Sequence, residues 1–428
     1  MASQLVEDLL KHGARNPLTG QMVRFPIRQI LMERALLKQT PELTLSLFPG
    51  VGSLAIISDG NTHKIAAEAL EHALHKRMEI ISIILPSSVK PTMEEVRHIK
   101  SMTREAGAFL AVGSGTVNDL VKYTSYSLDK PYAVFATAPS MNGYASANAS
   151  IEEHGYRHSF PAHMPQAILM DLDILASAPR QLILSGLGDS ICRSTAQADW
   201  LLSYLLLGTD YVSTPFDWLI ANEKRLFPSV DRLVQQSREA IELLCENLIL
   251  SGLGMAFCGG SYPASQGEHM IAHTMGMLHG KKLPSTFHGQ EIGVTTLTMA
   301  RLQELMLESM PVMHHISRPD AWFADTFTGD LSADFRRAYR KKELSPQKTE
   351  ALNQRIARYW PEIVAQLKKS MLPASEIEGI LTLAGAYTQP QEIGWPPDLY
   401  QKVVRQAPFT RDRFTFLDLA TLGRVSIF

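Results

Sequence analysis

Three short stretches of this chain hold the residue types that a catalytic metal needs. They are Gly186-Leu187-Gly188-Asp189-Ser190-Ile191-Cys192-Arg193, Gly267-Glu268-His269-Met270-Ile271-Ala272-His273 and Phe287-His288-Gly289-Gln290-Glu291. One carboxylate with two imidazoles is a hard-to-borderline ligand set suited to Zn²⁺, Ni²⁺ or Fe²⁺. Three protein ligands leave one coordination position open, and an open position is what Lewis-acid chemistry requires. His269 and His273 are four residues apart, so on a helix they share one face and can chelate. Each residue also has a plainer account. Asp189 early in a helix is favoured by the helix dipole, and His288 before Gly289 is an ordinary turn histidine. The metal reading rests on all three stretches falling in one region, each beside a glycine.

A second group of residues suits a nucleotide. Gly113-Ser114-Gly115-Thr116 joins an apolar strand to a helix, where exposed backbone N–H groups can cradle a pyrophosphate. Asp59 ends an earlier strand, where a carboxylate can bind a ribose. Thr137-Ala138-Pro139-Ser140-Met141-Asn142-Gly143 follows a third strand. All three loops are expected at strand C-terminal ends, the ligand edge of an open parallel sheet. The spacing is not G-x-G-x-x-G, so a dinucleotide would lie differently from the usual pose.

The elements that must position these residues alternate at first between strand and helix. Leu54–Ser58, Glu79–Leu85, Ala108–Val112, Tyr132–Ala136 and Ala167–Met170 read as strands. His63–Arg77, Pro91–Ala106 and a stretch reaching about Leu128 read as helices. That alternation implies a parallel sheet with crossover helices. Beyond about Ala178 the strand signal fades. Arg180–Leu207, Pro228–Leu253, Gly267–Met277, Glu291–Glu308, Pro346–Met371 and Ala374–Ala386 have helical length and amphipathic spacing. The expected architecture is an α/β domain over residues 1–178 and a mostly helical domain over residues 179–428. The mixed segment 311–334 is a candidate cover for the site.

Bulk properties narrow the class. The chain has 428 residues, which favours two domains. Hydrophobic residues make up 45% and charged residues 20%, with a formal net charge of -2, so nothing points to a nucleic acid or an anionic membrane. Three cysteines, Cys192, Cys245 and Cys258, form no C-x-x-C pair and fit a reducing compartment. The apolar stretch Ile241–Phe257 carries Glu242, Glu246 and Asn247 and reads as a buried helix. A cytoplasmic protein is expected.

Gly113-Ser114-Gly115-Thr116-Val117-Asn118-Asp119, Thr137-Ala138-Pro139-Ser140-Met141-Asn142-Gly143-Tyr144-Ala145-Ser146, Gly186-Leu187-Gly188-Asp189, and Pro263-Ala264-Ser265 leading to Glu268-His269 resemble the sn-glycerol-1-phosphate dehydrogenases, most of all their bacterial AraM branch. These belong to the iron-containing alcohol dehydrogenase and dehydroquinate synthase superfamily. The resemblance runs from about Ser53 to about Ala300. It implies a Rossmann-like nucleotide domain, a helical domain and an active site in the cleft between them. It implies reduction of dihydroxyacetone phosphate to sn-glycerol 1-phosphate by NAD(H) or NADP(H), with one divalent metal and a homodimeric assembly. By motif position the metal ligands would be Asp189, His269 and His288, and the nucleotide would meet Asp59, Gly113, Ser114, Gly115, Thr116, Thr137 and Ser140. Asn142 and Ser146 would face the substrate, and His273 is a candidate proton relay. Asp59 favours NADH, because a carboxylate repels a 2′-phosphate.

Three positions depart from relatives. Iron-type alcohol dehydrogenases carry a fourth ligand, histidine, where this chain has Arg193, whose guanidinium suits a substrate phosphate instead. The resemblance expects aspartate at Asn142 and arginine at Tyr262. These departures bear on the substrate and leave the metal residues untouched. Other readings are a dehydrogenase of another polyol or ketone, a lyase using NAD transiently, and a silent relative that binds nucleotide.

Overall fold

The computed structural model describes residues 3–153, 156–327 and 329–427. Its main sheet has six strands: β1 (Gln29–Glu33), β2 (Ser53–Asp59), β3 (Glu79–Leu85), β4 (Ala108–Gly113), β5 (Tyr132–Ala136) and β6 (Ala167–Asp171). Their order is β1-β6-β5-β4-β2-β3, and every pairing is parallel. The central strands β4, β5 and β6 are buried along their whole length, as expected of a parallel sheet covered on both faces. Strand order reverses between β2 and β4, since β3 lies on one side of β2 and β4 on the other. Ligands of open α/β sheets collect outside the strand carboxyl ends at such a reversal.

Five of the six strands coincide with apolar runs in the sequence. The sixth, β1, lies at the sheet edge with only Ile30 and Met32 buried, and so lacks the continuous apolar signal. Short hairpins pair Ala14–Arg15 with Met22–Val23 and Asn148–Glu153 with Tyr156–Pro161.

The helices used below are α1 (Gly115–Ser127), α2 (Arg180–Ile191), α3 (Arg193–Leu207), α4 (Arg238–Phe257), α5 (Gly267–His279), α6 (His288–Leu307), α7 (Pro346–Ser370) and α8 (Phe416–Gly423). The helix expected over Arg180–Leu207 is two helices that part at Cys192. The stretch Pro228–Leu253 also divides, because Gln236 adopts φ 56° ahead of α4. Segment 311–334 contains the helix Asp320–Thr326 and the start of Asp330–Arg340; Thr328 lies outside the described residues.

The chain divides into two compact units. One is Met1–Ser190 with Asp217–Gly260, the other Ile191–Phe216 with Ser261–Phe428. The units therefore interleave in sequence, where a single cut near Pro179 was expected. Contacts with the first unit explain why α4 belongs to it. A Cβ at Gly252 would lie 2.5 Å from the Asn142 carbonyl oxygen, and Ser251 Oγ accepts from Asn142 Nδ2 at 3.1 Å. Among the described residues α4 is also the one helix with the length and composition to cross a membrane, with 72% of its apolar window buried. In the second unit, Met270, Met275, Ile292 and Met306 share a core with Ile356 and Trp360 of α7 and Phe416 of α8.

Candidate active site

In the first unit, the three candidate nucleotide loops follow β2, β4 and β5, which are neighbours in the sheet. Gly113 closes β4, and its carbonyl accepts the Thr137 N–H at 3.1 Å, which ties two of the loops together. Ser114 is the N-cap of α1, and its side chain makes no capping bond. A Cβ at Gly113 would stand 2.6 Å from the Val117 Cβ, and one at Gly115 would stand 3.2 Å from the Met141 Cγ. The turn is thus packed against Val117 of its own helix and against Met141 of the Thr137–Gly143 loop, and the N–H groups of a first helical turn have no acceptor within the helix. Asp59 forms a capping box: its Oδ1 accepts from the Asn61 and Thr62 N–H groups at 2.8 and 2.9 Å. Thr137 and Ser140 are buried, and the Ser140 carbonyl accepts from Ser185 Oγ at 3.0 Å.

The loop after Ser140 is held from three directions. The Asn142 N–H donates to Asp189 Oδ2 at 2.8 Å, and its side-chain amide donates to Ser251 Oγ at 3.1 Å. Asp189, near the C-terminal end of α2, is buried. Lys122 on α1 is fully buried and donates to the Gly143 carbonyl (2.6 Å), Ser146 Oγ (3.2 Å) and the Asn148 carbonyl (3.1 Å). Ser146 is therefore tied to Lys122, and it also donates within the loop. Burial pulls the Lys122 ammonium down from 10.5 to about 8, partly opposed by the Asp119 charge.

In the second unit, the three histidines converge. Ring centroids lie 5.2 Å apart for His269 and His288, 5.6 Å for His269 and His273, and 5.7 Å for His273 and His288. Ligand nitrogens of His269 and His288 come within 4.8 Å of each other. Glu268 is fully buried. Its Oε1 accepts from His269 Nδ1 (2.9 Å) and the Gln266 N–H (2.7 Å), and its Oε2 accepts from Thr195 Oγ1 (3.1 Å). A carboxylate only accepts, so His269 Nδ1 carries the proton and Nε2 keeps the lone pair a metal would use. Burial pushes the Glu268 carboxyl up, but the His269 bond and charge and the Gln266 N–H outweigh it and hold the group below its usual range.

Arg193 is buried, and its Nη1 donates to Gln197 Oε1 (2.9 Å) and the Ser370 carbonyl (3.2 Å). Cys192 Sγ lies with Glu268 and His269 in a second ligand-like group. The segment 311–334 packs Trp322, Phe323 and Phe327 into an aromatic cluster with Phe335 and Phe409. A groove of about 570 Å³ elsewhere in this unit is lined by Leu206, Lys348, Arg355, Arg358 and Tyr359 among others, and by none of the candidate residues.

Sequence reasoning passed over Lys122 and gave no role to Glu268. Lys122 stands three residues after Asp119 and has the spacing of a solvated ion pair. Glu268 adjoins a candidate ligand, and that adjacency was the available signal.

Residues 32–179 match the family of iron-containing alcohol dehydrogenases. The glycerol-1-phosphate dehydrogenase (NAD(P)+) of Halalkalibacterium halodurans is 31% identical over 262 residues, 59% of this chain and 65% of that protein. The match thus spans just under two thirds of that relative. The protein of the same name from Thermococcus kodakarensis is 32% identical over 60% of this chain and 72% of its own length. Among solved structures, maleylacetate reductase from Agrobacterium tumefaciens aligns with TM-score 0.61 and 14% identity over 94% of this chain and 97% of that one, a likeness of fold. The six-stranded parallel sheet, the mainly helical second part and these relatives agree that the chain belongs to the glycerol-1-phosphate dehydrogenase family.

Proposed function

We propose that this protein is an NAD(P)H-linked reductase that converts dihydroxyacetone phosphate to sn-glycerol 1-phosphate, with one divalent metal held by Asp189, His269 and His288. The observation that carries the reading is the buried Glu268–His269 pair beside His288 and His273. A carboxylate that accepts from Nδ1 fixes the ring and raises the basicity of Nε2, the arrangement of a metal-ligating histidine. The donor set suits Zn²⁺, Ni²⁺ or Fe²⁺. A bound divalent cation would supply Lewis-acid polarisation of the ketone.

The chain's own residues do the rest. The Gly113–Thr116 turn offers N–H groups to the pyrophosphate. Asp59 offers its second carboxylate oxygen to a ribose and disfavours a 2′-phosphate. Thr137 and Ser140 border the same edge. Asn142, held by Asp189 and Ser251, presents a loop to the substrate. His273 is placed among the imidazoles to relay a proton. Arg193 is the candidate guanidinium for the substrate phosphate.

The test is metal content and NADH oxidation measured together, on protein stripped and reloaded with Zn²⁺ or Ni²⁺. Asp189→Asn and His288→Ala are each expected to lower metal affinity by at least about 100-fold and to abolish turnover of dihydroxyacetone phosphate. Full activity in either metal-free variant would overturn the mechanism. Metal-dependent turnover of dihydroxyacetone with none of its phosphate ester would overturn the substrate.

A further inference from the structure

The resemblance expects an arginine before Pro263-Ala264-Ser265, where this chain has Tyr262. The second unit supplies a guanidinium at that place from the far end of the chain. The Arg413 Cζ lies 4.3 Å from the centroid of the Tyr262 ring, within cation–π distance. The Tyr262 ring in turn stacks on Trp200 at 5.7 Å. Arg413 is buried. Its Nη1 donates to the carbonyls of Ser261 (3.2 Å) and Ser265, and its Nη2 donates to Ser261 Oγ at 2.9 Å. Arg411 adds bonds to Ser265 Oγ (2.9 Å) and Ser261 Oγ (3.4 Å).

Those bonds fall at the entry to α5. Gln266, the next residue, donates its N–H to the Glu268 carboxylate that holds His269. Gly267 donates its N–H to Asp199 Oδ2 at 2.9 Å, and Asp199 Oδ1 accepts the Phe416 N–H at 2.9 Å. Lys342 fixes the other side of the segment, donating to the Arg413 carbonyl (2.7 Å) and pairing with Asp418 (2.6 Å). Hydrogen bonds joined through the Ser265–Gln266 backbone thus lead from the C-terminal segment 410–418 to the ring of His269.

We propose that Arg413, seconded by Arg411, is the positioning residue for the His269 ligand, replacing from the C-terminal segment the guanidinium absent at position 262. The proposal rests on the reading that His269 holds a metal. A planar guanidinium presents its donors as a rigid fork on separate nitrogens, here Nη1 to two carbonyls and Nη2 to a hydroxyl, a geometry that the single nitrogen of an ammonium does not reproduce. Its bonds fix the Ser261–Ser265 loop, and the loop fixes where α5 begins. This gives the C-terminal segment a function at the histidine site, although it lies outside the sequence resemblance.

The experiment measures Zn²⁺ affinity by competition with a chromophoric chelator, with circular dichroism and the thermal midpoint on the same samples. The variants are His269→Ala, Arg413→Ala, Arg413→Lys and the double variant Tyr262→Arg with Arg413→Ala. His269→Ala is expected to abolish high-affinity binding. Arg413→Ala is expected to weaken it about 10- to 100-fold, the usual effect of losing a group behind a ligand, with native helical signal. The double variant, with a guanidinium back at 262, is expected to recover at least about half of that loss on a logarithmic scale, and a purely space-filling role would not produce that rescue. If Arg413→Ala fails to fold, Arg413→Lys carries the same test, because it keeps charge and bulk but loses the fork. Wild-type affinity in Arg413→Ala or Arg413→Lys, with binding lost in His269→Ala, would overturn the positioning role and leave the metal site standing. Wild-type affinity in His269→Ala would overturn the metal reading and the positioning role with it.

Discussion

Lys122 shows how one residue can set the state of a loop. Its ammonium is fully buried and is offered three oxygens from residues 143–148, with the Asp119 carboxylate 3.9 Å away. Buried charge survives when hydrogen bonds replace its hydration, yet here burial still lowers the ammonium from 10.5 to about 8. The sign of the consequence follows from proton counts. Below about pH 8 both folded and unfolded chains hold the proton, so Lys122 adds no pH slope. Between about 8 and 10.5 only the unfolded chain holds it, so folded stability rises with pH by up to about 1.4 kcal/mol per unit from this group. Lys122→Met removes that contribution. The gap in urea midpoint between wild type and Lys122→Met is therefore expected to change in favour of wild type as pH rises from 8 to 10. A gap independent of pH would show that Lys122 titrates as an ordinary lysine.

The two helices that brace this loop reach it through missing side chains. On α2, a Cβ at Gly186 would lie 1.8 Å from the Pro139 carbonyl oxygen, and on α4 one at Gly252 would lie 2.5 Å from the Asn142 carbonyl oxygen. Both obstacles are backbone, so neither helix can keep its place if a methyl is added. Gly186 opens the motif that carries Asp189, so its absent side chain lets that helix close on the loop to which Asp189 bonds. Alanine in a helix interior is otherwise worth up to about 1 kcal/mol over glycine, whereas overpacking costs about 1–3 kcal/mol. Gly186→Ala is expected to lower the thermal midpoint and to weaken metal binding, since α2 must shift. Gly379→Ala is the control: it sits within the helix Ala374–Ala384 with nothing within 4 Å of a new Cβ, and it should raise the midpoint. Equal effects at the two sites would mean that the close approach of α2 carries no energetic weight.

At the scale of the molecule, what the sequence made legible was local. Apolar runs ending in Asp59, Gly113 and Thr137 mark strands and the edge on which their loops meet, because strand period and turn chemistry are written in neighbouring residues. The imidazole cluster was legible for the same reason, from a helical four-residue spacing and a nearby turn. What stayed hidden depends on distant partners: α4 returns to the first unit, Lys122 faces inward beside Asp119, and Arg413 reaches Tyr262 from the C-terminal segment. The substrate is hidden more deeply, since one fold can host several chemistries and loop residues choose among them. Asn142 is where that choice can be examined. Its backbone bond to Asp189 and its side-chain bond to Ser251 both survive replacement by aspartate, because Ser251 can turn and donate to a carboxylate. Asn142→Asp is thus expected to fold normally while placing a negative charge in the loop whose backbone bonds Asp189. If the wild-type loop is fitted to dihydroxyacetone phosphate, kcat/KM for that ketone should change by less than about tenfold, a difference of about 1.4 kcal/mol in transition-state binding. A gain well beyond tenfold on the phosphate ester, alongside a loss on another ketone of a substrate panel, would show that asparagine fits the native site to that other ketone.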